Sequence, residues 1–248
     1  MDQLDQLHAI SDLHLGGAPG RQIFDQGPLL AGAIDRLRER APDARVGLVL
    51  NGDLVDFLAA PGATYLDPFG AVAKLEAILT DAAFSPVWEA LARFVRAPKR
   101  TLVIGIGNHD VELALPDVQE RLLHAICGDS LEARARVRVA MDGSGYSCVV
   151  GARRVLCNSG TWVRLIRLNE AILADDGAFA PVFQALRGQT LSALDAVKEL
   201  VFRNPTMVSI EADGGAVVGV LHRAVAAPGG VELVADPASR FALPRGLG

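Results

Sequence analysis

Three times in its first half this chain runs a short, mainly apolar segment straight into a cluster of metal-capable side chains. Leu7–Ser11 breaks off at Asp12-Leu13-His14, Val46–Leu50 at Asn51-Gly52-Asp53, and Thr101–Ile106 at Gly107-Asn108-His109. Runs this short and this apolar, stopped by turn formers, read as buried strands. Between and after them come segments with helical spacing. Pro28–Arg40 carries Leu29, Leu30, Ala33, Ile34 and Leu37 with charges between, and Phe69–Leu79, Pro86–Val95 and Pro116–Cys127 follow the same pattern. A β-α-β-α-β order requires crossovers, and therefore a largely parallel sheet between helical layers. Such sheets gather their chemistry at the carboxyl ends of the strands, where all three polar clusters fall.

From Val137 the pattern changes. Val137–Met141, Tyr146–Val150 and Arg153–Cys157 read as short strands separated by Asp142-Gly143-Ser144-Gly145 and by Gly151. Val163–Phe202 reads as helical, interrupted near Gly177 and Pro181. Thr206–Glu211, Ala216–Val225 and Val231–Val234 read as closing antiparallel strands, turning at Asp213-Gly214-Gly215 and Pro228-Gly229-Gly230. With no repeat and no linker, residues 1–248 are expected to form one α/β domain.

Half the residues are hydrophobic, which excludes an intrinsically disordered chain. Twenty-four basic against 29 acidic side chains leave a formal net charge of −5, so general nucleic-acid binding through phosphate neutralisation is not expected. Cys127, Cys148 and Cys157 form neither a disulfide framework nor a zinc-knuckle spacing. The acidic start Met1-Asp2-Gln3-Leu4-Asp5 lacks the features of a secretory signal, and no apolar run approaches the roughly 20 residues of a membrane span. A soluble, cytoplasmic protein is the expectation.

Carboxylate, imidazole and amide oxygen together suit divalent ions such as Mn, Fe, Zn or Co. One carboxylate at a strand end can serve two ions with its two oxygens, and two such ions can clamp a phosphate and acidify a bound water. Taken singly, Asp12 and Asp53 also fit helix N-caps, and Asn108-His109-Asp110 fits a turn.

Ser11-Asp12-Leu13-His14, Gly52-Asp53-Leu54-Val55-Asp56 and Gly107-Asn108-His109-Asp110 resemble, in order and context, the D-x-H, G-D-x-x-D and G-N-H-D/E motifs of the calcineurin-like metallophosphoesterases. The likeness covers roughly the first 110 residues, and Ser11–Leu15 and Gly52–Phe57 also look like the bacterial branch that includes UDP-diacylglucosamine pyrophosphohydrolases. Asn158-Ser159-Gly160-Thr161-Trp162 is similar to a late turn of that branch. The resemblance implies a sandwich of two mixed β-sheets packed face to face and flanked by helices. It implies a dinuclear centre of two divalent ions, most often Mn, with Fe, Zn, Co or Ni as alternatives. Asp12 and His14 would hold the first ion, Asp53 would bridge, and Asn108 would hold the second. His109 would stabilise or protonate the leaving group, oriented by Asp56, for which a structural salt bridge is the other reading. The implied reaction is hydrolysis of a phosphomonoester, phosphodiester or pyrophosphate by metal-activated hydroxide, on a phosphorylated small-molecule or lipid-like substrate.

The chain departs from the family where two later histidine motifs should complete both metal positions. The family places them between the elements read here at Arg153–Cys157 and Asn158–Trp162, which abut. Either a segment is missing between Cys157 and Asn158, the expectation adopted, or the chain is a non-catalytic binding or scaffold protein on a degenerate fold. Of the remaining histidines, His8 reads as packed or surface, His124 as lying on a helix flank, and His222 as an apolar-strand residue or a replacement ligand. Trp162 and Arg164 read as packing or substrate contacts. Arg134, Arg136 and Arg138 read as a solvent face or an anion contact. Leu165–Leu173 and Leu186–Phe202 read as amphipathic helices that pack on the sheet, on a second copy in a homo-oligomer, or form an apolar lip, in keeping with a mean hydropathy of +0.28.

Overall fold

The structure, a computed structural model, describes residues 4–140, 148–150, 153–155, 159–188 and 190–244. The first half follows the alternation of its apolar runs. Strand β1 (Gln6–Ile10) leads to α1 (Gly27–Glu39), β2 (Val46–Asn51), α2 (Ala71–Thr80), α3 (Ser85–Arg96), β3 (Arg100–Gly105), α4 (Pro116–Cys127), α5 (Leu131–Ala135) and β4 (Val137–Ala140). Prolines stand in the first turns of α1, α3 and α4, where a missing N–H costs no hydrogen bond. The second half holds β5 (Cys148–Val150), β6 (Arg153–Val155), β7 (Leu165–Ile166), α6 (Asp176–Arg187), α7 (Leu191–Asp195), β8 (Val201–Phe202), β9 (Thr206–Asp213), β10 (Ala216–Ala227) and β11 (Gly230–Pro244).

Seven strands form one mixed sheet in the order β11-β10-β9-β1-β2-β3-β4. The four strands β1 to β4 are parallel, and β9, β10 and β11 continue the sheet antiparallel from the free edge of β1. Register aligns Ile10 with Leu50 and Leu50 with Ile104, so β1, β2 and β3 end side by side. Ile10, Leu48, Leu50, Leu102 and Ile104 are buried, joined by Leu30, Ile34 and Leu37 of α1 and by Leu91, Phe94 and Val95 of α3. Full burial of each such side chain contributes about 1.5–3 kcal/mol. At the opposite end of the strands, buried Arg100 donates to the carbonyls of Arg38, Arg40 and Ala44 at 2.7–2.9 Å. A cation there satisfies the last carbonyls of α1 and closes the turn into β2.

Two expectations need correction. Instead of two large sheets face to face, the described residues form one seven-stranded sheet, with β5-β6 and β7-β8 as separate two-stranded sheets. The closing strands extend the main sheet because β9 satisfies the edge hydrogen bonds of β1, pairing Gln6 with Glu211 through Ala9 with Val208. Nor is 163–202 helical with breaks only near Gly177 and Pro181. Leu165–Leu173 holds β7 and turns, and α6 and α7 enclose a small cluster of Val182, Ala185, Leu194 and Leu200. Asp175 caps α6 by accepting from the Ala178 amide, and Pro181 lies inside the helix without ending it. Ile166, Leu168, Leu173, Phe183 and Leu186 of this region are exposed.

The junction of Cys157 and Asn158, where a missing segment was expected, lies outside the described residues, as do Met141, Tyr146 and the end of the 153–157 segment. Among the described residues, no helix is long and apolar enough to cross a membrane.

Candidate metal centre

Because β1, β2 and β3 are adjacent and parallel, the loops that follow them meet at one end of the sheet, and their backbones interlock. The amides of Leu13 and His14 donate to the Asp53 carbonyl at 3.0 and 2.8 Å, Leu15 to Leu54 at 3.0 Å, Asp56 back to Leu15 at 2.9 Å, and Phe57 to His109 at 3.2 Å. Seven non-glycine residues among those described have positive φ, and three of them are Asp12 (54°), His14 (48°) and Asp53 (51°). Such conformations cost about 1–2 kcal/mol each and persist where surrounding bonds impose them, commonly at functional sites.

Asp12, His14 and Asp53 each offer a ligand atom, and these atoms lie within 4.8 Å of one another. Asp53 divides its oxygens. Oδ1 accepts from the His109 amide at 2.9 Å, while Oδ2 faces His14 Nε2 at 3.7 Å. The other ring nitrogen of His14, Nδ1, meets Asp56 Oδ2 at 3.2 Å, so with that proton held Nε2 turns its lone pair toward the carboxylates. Burial alone would push the His14 imidazole down. The Asp56 hydrogen bond and the charges of Asp53, Asp56 and Asp12 instead hold it above the usual histidine range, the mark of a field that favours a cation. Two carboxylates and an imidazole nitrogen form a hard-to-borderline donor set, which fits a first-row divalent ion.

Asp56 is a buried hub. Its Oδ1 accepts from the amides of Leu58 and Ala59 at 3.0 Å and meets His109 Nδ1 at 3.0 Å. The expected link to His109 is thus present, together with a second link to His14 and the capping of the 3-10 turn Phe57–Ala59. Although burial opposes it, the two histidine hydrogen bonds keep the Asp56 carboxyl below the usual range. The rings of His14 and His109 meet edge to face at 4.6 Å between centroids, and His109 is partly exposed, its Nδ1 fixed and its Nε2 left for other partners. Asn108 is exposed beside it. His14, Asp56 and His109 also lie close enough to share an ion, but the carboxylate of Asp56 is already committed to four hydrogen-bond partners.

Two residues of the third loop do more than the sequence reading assigned them. Asp110 is fully buried, accepting from the Gly107 amide at 2.6 Å and the Leu54 amide at 2.8 Å, and so binds the second and third loops on either side of Asp53. Burial pushes its carboxyl up to about 6 despite those amides. At Gly107 a Cβ would stand 2.2 Å from Asp53 Oδ1 and 2.6 Å from its amide, so only glycine admits the carboxylate there. The spacing of Gly107 and Asp110 around Asn108-His109 was the available signal.

The described part of the late turn locks the first loop. Ser11 Oγ meets Ser159 Oγ at 2.9 Å, and Thr161 Oγ1 donates to the Asp12 carbonyl at 3.2 Å. Buried Trp162 donates from Nε1 to the Thr206 carbonyl at 2.9 Å and packs in the core, and Arg164 pairs with Asp25 and Asp195. Arg134 pairs with Glu120, and Arg136 donates to the Val95 and Ala97 carbonyls at the end of α3. His222 does not reach the centre. It is buried with His8, the two imidazoles meeting Ser209 Oγ at 3.0 and 2.8 Å. His124 is exposed beside Asp129. A mainly apolar cavity of about 450 Å³ opens beside Asp56, lined by Pro19, Pro61, Ala77, Ile78, Phe84 and Lys74 among others.

No protein-family model, curated protein or solved structure matches this chain.

Proposed function

We propose that this protein is a metal-dependent phosphoesterase related to the calcineurin-like metallophosphoesterases, hydrolysing a phosphomonoester, phosphodiester or pyrophosphate bond. One observation carries the reading. At the aligned ends of three parallel strands, Asp12, His14 and Asp53 converge on one point while Asp56 holds His109 beside them. Asp12, His14 and Asp53 would hold one divalent ion, and Asp53 with Asn108 a second. Divalent ions bound there would supply Lewis acidity, acidifying a water and offsetting charge on a phosphoryl group.

The chain's own groups supply the rest. In the imidazolium form of His109, Asp56 accepts the Nδ1–H bond and the Nε2–H points outward, where its proton can pass to a departing oxygen and leave the neutral ring. The same carboxylate fixes His14, so one buried group sets both imidazoles. Asp110 and Gly107 hold the loop that carries Asn108 and His109 against Asp53. The apolar cavity beside Asp56, with Lys74 in its wall, suits a phosphorylated substrate that has an apolar portion.

The rival is a binding scaffold on the same fold, favoured by the shortage of later histidines. Stripping the protein of metal and assaying aryl phosphates and phosphodiesters with and without Mn²⁺ separates the two. Hydrolysis that Mn²⁺ restores and that His109→Ala slows supports the enzyme. Metal binding without turnover of any phosphoester supports the scaffold.

A further inference from the structure

Asp56 is common to the candidate centre and to the mainly apolar cavity of about 450 Å³, so a phosphoryl group at the centre has that cavity as its neighbour. One wall is α2, where Ala73 and Ala77 stand one turn apart, both exposed on the face that lines the cavity. Beside them Ile78 and Phe84 belong to the main core, which fixes the wall they form. The charged groups that line the cavity are already engaged. Asp56 has its four partners, Asp81 accepts from Gln22 Nε2 at 2.7 Å and from the Ala83 amide at 2.9 Å, and Lys74 pairs with Asp67 at 3.0 Å. An apolar occupant can therefore displace water from these walls without leaving a charge unpaired. Volume limits its size. An apolar cavity of about 150 Å³ takes one benzene ring, or about 25 Å³ for each non-hydrogen atom. At that packing the cavity beside Asp56 has room for about 18 such atoms. A two-ring aryl group or a single alkyl chain fits, and the two acyl chains of a membrane lipid do not.

We infer that the substrate is a phosphoester of one compact apolar alcohol, a single chain or a two-ring group, whose apolar part fills this cavity, and that the small side chains of Ala73 and Ala77 keep the room open for it. This rests on the phosphoesterase reading above and narrows it to a size class. Each methylene that enters the cavity strengthens binding by about fourfold, and carbon beyond its capacity adds nothing.

The test is calorimetric binding of straight-chain alkylphosphonates, ethyl to dodecyl and below their micellar concentrations, to the full chain with and without Mn²⁺. Affinity should rise about fourfold per methylene through the short members of the series. Dioctanoyl phosphatidic acid, whose apolar part exceeds the cavity, should bind no tighter than octylphosphonate. Ala77→Phe gives about a third of the room to a ring, so the rise should stop at a shorter chain, and Ala73→Phe should act likewise, with circular dichroism checking that each variant is folded. The slope belongs to the cavity and should be the same without metal, whereas Mn²⁺ acts on the phosphonate and should tighten the whole series. Affinity that ignores chain length overturns the inference, and so does two-chain binding more than about tenfold tighter than that of octylphosphonate. A slope with no Mn²⁺ effect on any member defeats the phosphoesterase reading instead. The series on the unaltered protein decides the matter even if a variant fails to fold.

Discussion

At the scale of single residues, the proposed centre depends on side chains that hold other side chains. His109 and Asp56 illustrate the difference. His109→Ala should leave metal content intact and slow turnover by about 10²–10⁴-fold, with the smallest loss on an aryl ester, whose leaving oxygen needs little protonation. Asp56→Ala frees both His14 and His109, so it should also lower metal affinity, by about 10–100-fold. Equal metal loss in the two variants would make His109 a ligand instead. Gly107→Ala makes a sharper case, because a methyl group 2.2 Å from Asp53 Oδ1 must displace the carboxylate or the loop. Metal affinity should drop at least about tenfold while circular dichroism stays unchanged. Unaltered metal binding would show that Asp53 is not placed by that contact. That the loops carrying Asp12, His14, Asp53, Asp56, Asn108 and His109 lie side by side was legible in the sequence because each follows a readable strand, while the roles proposed for them came from the resemblance of their motifs. Asp110's part was not, since a buried carboxylate that accepts two backbone amides looks in sequence like any other turn residue.

At the scale of elements, the parallel strands and their helices were legible because each buries a continuous or periodic apolar face. The 163–202 segment was not. Its apolar residues have helical spacing, yet β7 and β8 pair through contacts distant in sequence, and many of its apolar side chains stay exposed. The β9 and β10 hairpin carries a feature no pattern announces, the buried chain from His8 on β1 through Ser209 to His222. Burial, with Arg40 and Arg100 nearby, drives His8 down to about 3, and burial also lowers His222. His8 stays neutral in the folded state down to about pH 3, and His222 protonates at lower pH than in the unfolded chain, which takes up protons below about pH 6.5. The stability they allow is therefore complete above that pH and lost progressively as pH falls toward 3. For His8 alone the loss at pH 4.5 is about 2–3 kcal/mol. Urea unfolding at pH 7 and pH 4.5 should show a shallower loss in His8→Leu than in the unaltered chain, with His222 supplying the remainder. An identical loss in both would remove His8 from the acid response.

At the scale of the whole molecule, the α/β class was legible from the order of the elements, but the number and stacking of sheets was not. Whether closing strands build a second sheet or extend the first depends on which edge they satisfy, and period-2 patterning is the same in both cases. Here β9 takes the edge of β1, and the seven-stranded sheet sets three loops side by side at one end. The metal-dependent reading requires that those loops act as one unit through Asp53, which, like Asp56, touches both of the others and is also a metal-facing carboxylate. The most direct measurement is therefore the metal content and aryl phosphodiester turnover of Asp53→Asn, a change that keeps size and hydrogen bonding but removes the shared charge. Loss of bound metal together with the largest rate loss of any single substitution at the centre is the expected result. Metal content and turnover equal to those of the unaltered protein would contradict the metal-dependent reading.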